Sequence, residues 1–303
     1  MDAKKASRRS TASRPSKRSP SSTTDGAARR PTPVGPPPRK DDRPVLRIAG
    51  LQAVTALFAT APERVERLFF DERSKPLVGG FCAALARARK PYRLLPRDEL
   101  ERVAGTAMHG GVVAIAAPRP LQPFDPDEAR RWAREGHPLL LLDGVGNPHN
   151  LGAIARTAAF FGLQHLVLSD HPAQAGPSDA SYRVAEGGLE HLTLYRATSV
   201  SALLYRLRGS YRVIGTVLDG GRPLERFAGD DRPPALLLGN EETGLPRATL
   251  DACEEIVTIR GARLIQSLNV AATAAILIYE ACRAKEGGPQ RHRDAKKEGD
   301  SRA

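Results

Sequence analysis

Cysteine is scarce in this chain: Cys82, Cys253 and Cys282 stand far apart, with no CxxC pair. Such spacing excludes a disulfide scaffold and a thiolate zinc site, and the odd number fits a reducing compartment. The seven histidines form no HExxH or other paired spacing, so no metal is expected. No apolar run approaches the roughly 20 residues that cross a bilayer, and no secretory signal is visible. The expectation is a soluble, cytoplasmic protein. A Gly-Lys-Ser/Thr phosphate loop is also missing. Gly144-Val145-Gly146 begins like a dinucleotide fingerprint, but His149 stands where the third glycine belongs. ATP hydrolysis and hydride transfer both lose support, and no GxSxG elbow surrounds Ser267 to suggest a hydrolase.

Charge is present in excess, though unevenly. The chain of 303 residues carries +12. Residues 1–40 hold eleven Lys or Arg against Asp2 and Asp25, and residues 285–303 hold six against four acids, so the body between them is nearly neutral. The N-terminal stretch is rich in Ser, Thr, Pro and Arg without an apolar period, which predicts a disordered basic tail over 1–43. A flexible cationic arm suits RNA through counterion release. A solubilising tail is the plainer alternative. A transit peptide is disfavoured because the basic residues cluster with prolines and no amphipathic helix follows. A second disordered tail is expected over 285–303.

Between the tails the patterning predicts two α/β units. The first, over 44–118, has apolar residues at helical spacing (Leu51, Val54, Leu57, Phe58), and Val65, Leu68 and Phe69 continue at a spacing that also reads as helix. It closes with a strand, Val112 to Ala116, after a glycine turn. A linker and polar helix anchored by Trp132 occupy 119–136. The second unit, over 137–284, alternates short apolar strands with helices, which reads as a mostly parallel sheet covered on both faces. Its last helix, 267–283, is apolar on nearly every side and is expected to be buried.

Three polar stretches interrupt this second unit. In the first, Asn147-Pro148-His149-Asn150, Pro148 fixes the backbone and Asn150 is placed to cap a helix or present its amide to a ligand. Arg156 follows among small apolar residues; it either snorkels or is held by an anion such as phosphate, the plainer alternative being a pair with Asp143 or Glu241 that braces the fold. In the second, Leu238-Gly239-Asn240-Glu241, the glutamate at the turn is a ligand at the mouth of a site or an ordinary surface carboxylate. In the third, Ser267-Leu268-Asn269, Ser267 is expected to cap the last helix, leaving Asn269 in its first turn as structural glue or ligand donor.

Taken together and in order, the three stretches resemble the motifs of the SpoU family, the RNA ribose 2'-O-methyltransferases of the SPOUT superfamily. The likeness covers about residues 138–283, while 44–117 look like the family's L30e-like substrate-binding domain. The resemblance implies an α/β knot, a deep trefoil knot that general rules of chain topology would not propose. It also implies a homodimer acting on rRNA or tRNA. S-adenosylmethionine would be held by Thr216, Leu238, Gly239, Asn240, Ile259, Gly261 and Leu268. Arg156 would be catalytic, with Asn150 orienting it or the ribose. Glu241 would hold the arginine side, and Ser267 and Asn269 would contact substrate and cofactor.

Two stretches depart from the family pattern. Ile259-Arg260-Gly261-Ala262-Arg263 stands where many members have Ile-Pro-Met-x-Gly, so the two arginines would be free to face RNA. Ala185-Glu186-Gly187-Gly188 replaces Ser-Ala-Gly-Ala. The competing function class is a knotted RNA-binding protein without methyl transfer.

Overall fold

The computed structural model describes residues 44–224, 230–262 and 264–286. The basic stretch 1–43, Arg263 and residues 287–303 lie outside the described residues. Residues 285 and 286, expected in the C-terminal tail, instead end the last helix.

The first sheet is small. Strands β1 (Leu46–Ala49), β2 (Val65–Phe70), β3 (Tyr92–Leu94) and β4 (Val112–Ala116) order as β1-β4-β2-β3, with β4 antiparallel to both neighbours and β3 parallel to β2. Helices α1 (Leu51–Thr60), α2 (Gly79–Arg87) and α3 (Arg97–Ala104) pack around it. The helix read over Val65 and Leu68 is a strand. A register shift between Val65 and Arg67 inserts one residue, so both Val65 and Leu68 reach the core although they stand three apart, as they would on a helix.

Eight strands form the second sheet, and every pairing in it is parallel. They are β5 (Gln122–Pro123), β6 (Leu139–Asp143), β7 (His165–Ser169), β8 (Thr193–Ala197), β9 (Arg212–Thr216), β10 (Arg222–Pro223), β11 (Pro234–Gly239) and β12 (Glu255–Thr258), in the order β10-β12-β9-β11-β6-β7-β8-β5. The mostly parallel α/β sheet expected from the sequence is therefore observed. Leu139, Leu140, Leu141 and Leu142 are all buried because helices cover both faces, each side chain contributing about 1.5–3 kcal/mol. Those helices are α4 (Pro126–Arg134), α5 (Pro148–Phe160), α6 (Asp179–Ala185), α7 (Val200–Leu207), α8 (Arg247–Asp251) and α9 (Val270–Glu286). Gly152 lets α5 lie directly on α6, since a Cβ there would stand 2.5 Å from the Ser181 carbonyl oxygen.

The two sheets are joined where β1 meets α6, with Arg47 donating to the Asp179 carboxylate, and at a tight turn. Residues Gly188–His191 form a 3-10 turn that packs against both α1 and α5. Within it the buried Glu190 carboxylate accepts from the Arg64 guanidinium at 2.7 and 2.9 Å, and Arg64 also donates to the Tyr182 hydroxyl at 3.3 Å. Arg119 donates to the Leu192 carbonyl at 2.9 Å. On α9, Ala274, Leu277, Ile278 and Ala281 are buried, whereas Ile276 and Tyr279 are open to solvent. The last helix is thus covered on one side only.

Candidate active site

In an open parallel sheet the strand order reverses at one point, and ligands bind beyond the carboxyl ends of the strands there. Here the reversal lies between β6 and β11, and both strands end in polar loops. Asp143 closes β6 and is buried, its carboxylate accepting from the Thr249 hydroxyl at 2.7 Å. The loop after it is held from two sides. Gln174 accepts from the Gly144 and Val145 N–H groups at 3.0 and 3.1 Å, and Asn240 donates to the Gly144 carbonyl at 2.8 Å. Glu241 accepts from the Gly146 and Asn147 N–H groups at 3.1 and 3.3 Å.

Both helix caps differ from the sequence reading. Asn147, rather than Asn150, caps α5, accepting from the His149 N–H at 2.8 Å, with Pro148 at the first helical position where its missing N–H leaves no gap. Asn269, rather than Ser267, caps α9, accepting from the Ala271 N–H at 2.8 Å. These shifts free Asn150 to bond sideways. Its Nδ2 donates to Glu241 at 2.7 Å, and its Oδ1 accepts from Asn269 Nδ2 at 3.0 Å. One residue from each polar stretch therefore meets in a single hydrogen-bonded chain.

Glu241 has its carboxyl held below the usual carboxylate range. Burial works in the opposite direction, but the Asn150 amide and the N–H groups of Gly146 and Asn147 outweigh it. The group is an ionised acceptor that already takes three hydrogen bonds, which suits it poorly to proton transfer.

Beside this chain lies a cleft of about 270 Å³. Leu238, Val257, Ile259 and Leu268 give it apolar walls, while Thr216, Asn240, Glu241, Ser267 and Asn269 give it a polar side. That division fits a ligand with a flat apolar base and a charged tail, which is the character of S-adenosylmethionine. Of the residues expected to hold it, Thr216, Leu238, Gly239, Asn240, Ile259 and Leu268 line the cleft; Gly261 is exposed and outside that lining. Gln266, which opens the third polar stretch, also lines it, as does Thr273, which was not singled out in the sequence. Gln174 was missed as well. It sits in a loop legible only by its prolines, and nothing in the chain order signals that its amide would bridge back thirty residues.

Arg156 is elsewhere. It lies six residues beyond Asn150, which carries it about 120° around α5, and its guanidinium pairs with Glu186 at 2.9 Å. Neither Asp143 nor Glu241 braces it, since Thr249 and Asn150 take those carboxylates. The expectations that Asn150 orients Arg156 and that Glu241 holds its side of the site are not met within one chain. Helix geometry explains this: positions 150 and 156 cannot share a face.

Two family models match in the order of the two sheets. RNA 2'-O ribose methyltransferase substrate binding covers residues 47–122, and the SpoU rRNA Methylase family covers residues 137–279. The chain is 34% identical over 253 residues to the 23S rRNA (guanosine-2'-O-)-methyltransferase RlmB of Acinetobacter baylyi, spanning 78% of this chain and 97% of that protein. Among solved structures, the SpoU methyltransferase AviRb from Streptomyces viridochromogenes in complex with AdoMet superposes with a TM-score of 0.62 at 25% identity, covering 80% of this chain and 92% of that one. An AdoMet-bound rRNA methyltransferase from Sinorhizobium meliloti shares the fold, with a TM-score of 0.64 at 24% identity over 79% of this chain and 87% of that one. With a near full-length relative, both domain models and all three polar stretches converging on one cleft, the chain belongs to the SpoU family of RNA methylases.

Proposed function

We propose that this protein transfers a methyl group from S-adenosylmethionine to a ribose 2'-hydroxyl of ribosomal RNA. The observation that carries this reading is the convergence of Asn150, Glu241 and Asn269 beside a half-apolar cleft at the reversal point of the sheet. Relatives matched over almost their whole length, and over 78% and 79% of this chain, are named for the same reaction on 23S rRNA. Bound S-adenosylmethionine supplies an electrophilic methyl on a sulfonium sulfur. The protein's own part is to hold the acceptor hydroxyl in line with that methyl and to exclude water around it. Leu238, Ile259 and Leu268 would enclose the base, and Ser267 and Asn240 would offer polar groups near the reacting end. Arg156 would grip an RNA phosphate. A guanidinium is a cation with donors and no acceptor, so its contribution is positioning and electrostatic stabilisation rather than proton abstraction.

Arg156 reaches a cleft most simply in a homodimer. Phe160 lies one turn beyond Arg156 on the same face of α5 and is 81% exposed, while Ile276 and Tyr279 are exposed on the adjoining α9. An apolar strip of that kind is what a second copy would cover, and covering it would set Arg156 at the seam. We read the knot in the same way: after β12, the chain returns so that α9 packs on α5 and β11. The unit 44–118 would bind RNA, the basic tail 1–43 would add nonspecific attraction, and the protein would work in the cytoplasm.

The test is transfer of labelled methyl to in vitro transcribed 23S rRNA, with ribose-methylation mapping of total RNA in cells with and without the gene. A single lost 2'-O-methyl site is the expected result. RNA binding without S-adenosylmethionine binding would overturn the reading in favour of a non-enzymatic module.

A further inference from the structure

Glu186 is an unusual residue in an unusual place. It ends α6 with φ 46° and ψ 42°, a left-handed conformation that favours glycine or asparagine over a residue with a long side chain. Its carboxylate points to Arg156 at 2.9 Å.

The residues after it pack against the small lobe. The next residue, Gly187, has φ 97°, and a Cβ there would stand 2.8 Å from Ala56 Cβ and 3.2 Å from the Gln52 carbonyl oxygen, both on α1 of the small lobe. Behind it, Glu190 is tied to Arg64 of the same lobe. The turn that follows Glu186 thus lies directly on the small lobe. Strain of this kind is a mark of use rather than accident.

We propose that Glu186 is a competing anion whose carboxylate occupies Arg156 in the free protein and gives it up to a phosphate of the RNA backbone, so that it sets how tightly substrate is bound. This rests on the reading that Arg156 grips RNA. The exchange conserves charge, one anion replacing another on the same guanidinium. It is also easy, because the two side chains are 57% and 49% exposed and such pairs are weak. Exposure leaves the guanidinium open to an incoming phosphate.

The test measures binding of in vitro transcribed 23S rRNA to the full chain at low and high salt, together with KM and kcat for methyl transfer. Five proteins are compared: wild type, Glu186→Gln, Glu186→Gly, Arg156→Ala and the double variant Glu186→Gln with Arg156→Ala. Both Glu186 variants are expected to tighten RNA binding about threefold, the scale of one exposed ion pair, with KM falling in step, kcat nearly constant, and the gain shrinking as salt rises. Glycine suits the left-handed backbone, so that variant folds even if glutamine strains the turn. In an Arg156→Ala background the gain disappears. Unchanged or weaker RNA binding in both variants overturns the proposal, and so does an equal gain without Arg156, which would mean general repulsion of RNA by a surface acid. If Arg156→Ala alone leaves RNA binding and methylation intact, it is the role given to Arg156 that fails.

Discussion

Asn150 donates its side-chain amide to the Glu241 carboxylate at 2.7 Å, fastening the start of α5 to the turn after β11. Asn269 completes the junction from the opposite side, donating to the Asn150 oxygen. Asn150 is therefore fixed in one flip state, with an acceptor on one side and a donor on the other.

Replacing Asn150 by Asp sets a second carboxylate against Glu241. Methyl transfer is expected to fall by at least about a hundredfold, with a loss of stability of about 1–3 kcal/mol. Methyl transfer assays and denaturant melts measure the two effects. Wild-type activity in the variant would remove the junction from the site.

Glu241→Gln places an amide among three donors and is expected to cost about 1 kcal/mol, since the group is partly open to solvent. Because the native carboxyl titrates below its unfolded value, its stabilisation is present above the unfolded carboxylate range and is lost as pH falls through the native value. The stability gap between wild type and variant should close in acid. A gap that stays unchanged until both proteins unfold in acid contradicts this account.

Arg156→Ala removes only an exposed ion pair, so the fold should stay within about 1 kcal/mol of wild type. Affinity for S-adenosylmethionine is expected to change less than about threefold while methylation drops by more than about a hundredfold. Calorimetry and single-turnover transfer separate the two. Comparable losses in both would reassign Arg156 to the cofactor.

His165 stacks on Trp132 with ring centroids 3.7 Å apart, and burial, helped by His137, pulls its pKa down to about 4 against a weaker opposing pull from Glu135. The fold thus favours neutral imidazole, and the unfolded chain binds the proton more readily. Stability should be complete above pH 6.5 and decline as pH falls toward 4, by up to about 3 kcal/mol. His165→Phe keeps a ring on Trp132 and should flatten that decline. An identical acid profile in the variant would exclude His165 as its source.

Phe160→Glu combined with Tyr279→Glu should leave a folded monomer by sedimentation and abolish methyl transfer, if a second copy covers the strip on α5 and α9. A variant that remains dimeric would place the interface elsewhere.

Much of this architecture was legible in the chain. Runs such as Leu139 to Leu142 announce a strand covered on both faces, and the three polar stretches announce the strand ends where a ligand sits. What could not be read was set by contacts between distant segments. The bulge at Val65 gives a strand the spacing of a helix. Each helix cap moved by two or three residues because Asn147 and Asn269 satisfy the first free N–H groups, releasing Asn150 for the site. The partner of Arg156 follows from the close packing of α5 on α6 at Gly152, and local sequence gives no sign of it.

The Arg64–Glu190 pair has one further consequence. Pulling the lobes apart would strand a buried carboxylate, a penalty of about 3–5 kcal/mol, so the two sheets turn together. Whatever the small lobe grips is then held at a constant span from the cleft. A nucleotide would be chosen by its distance from an anchoring feature of the RNA, as a ruler with fixed ends chooses a length, with no need to read the base itself.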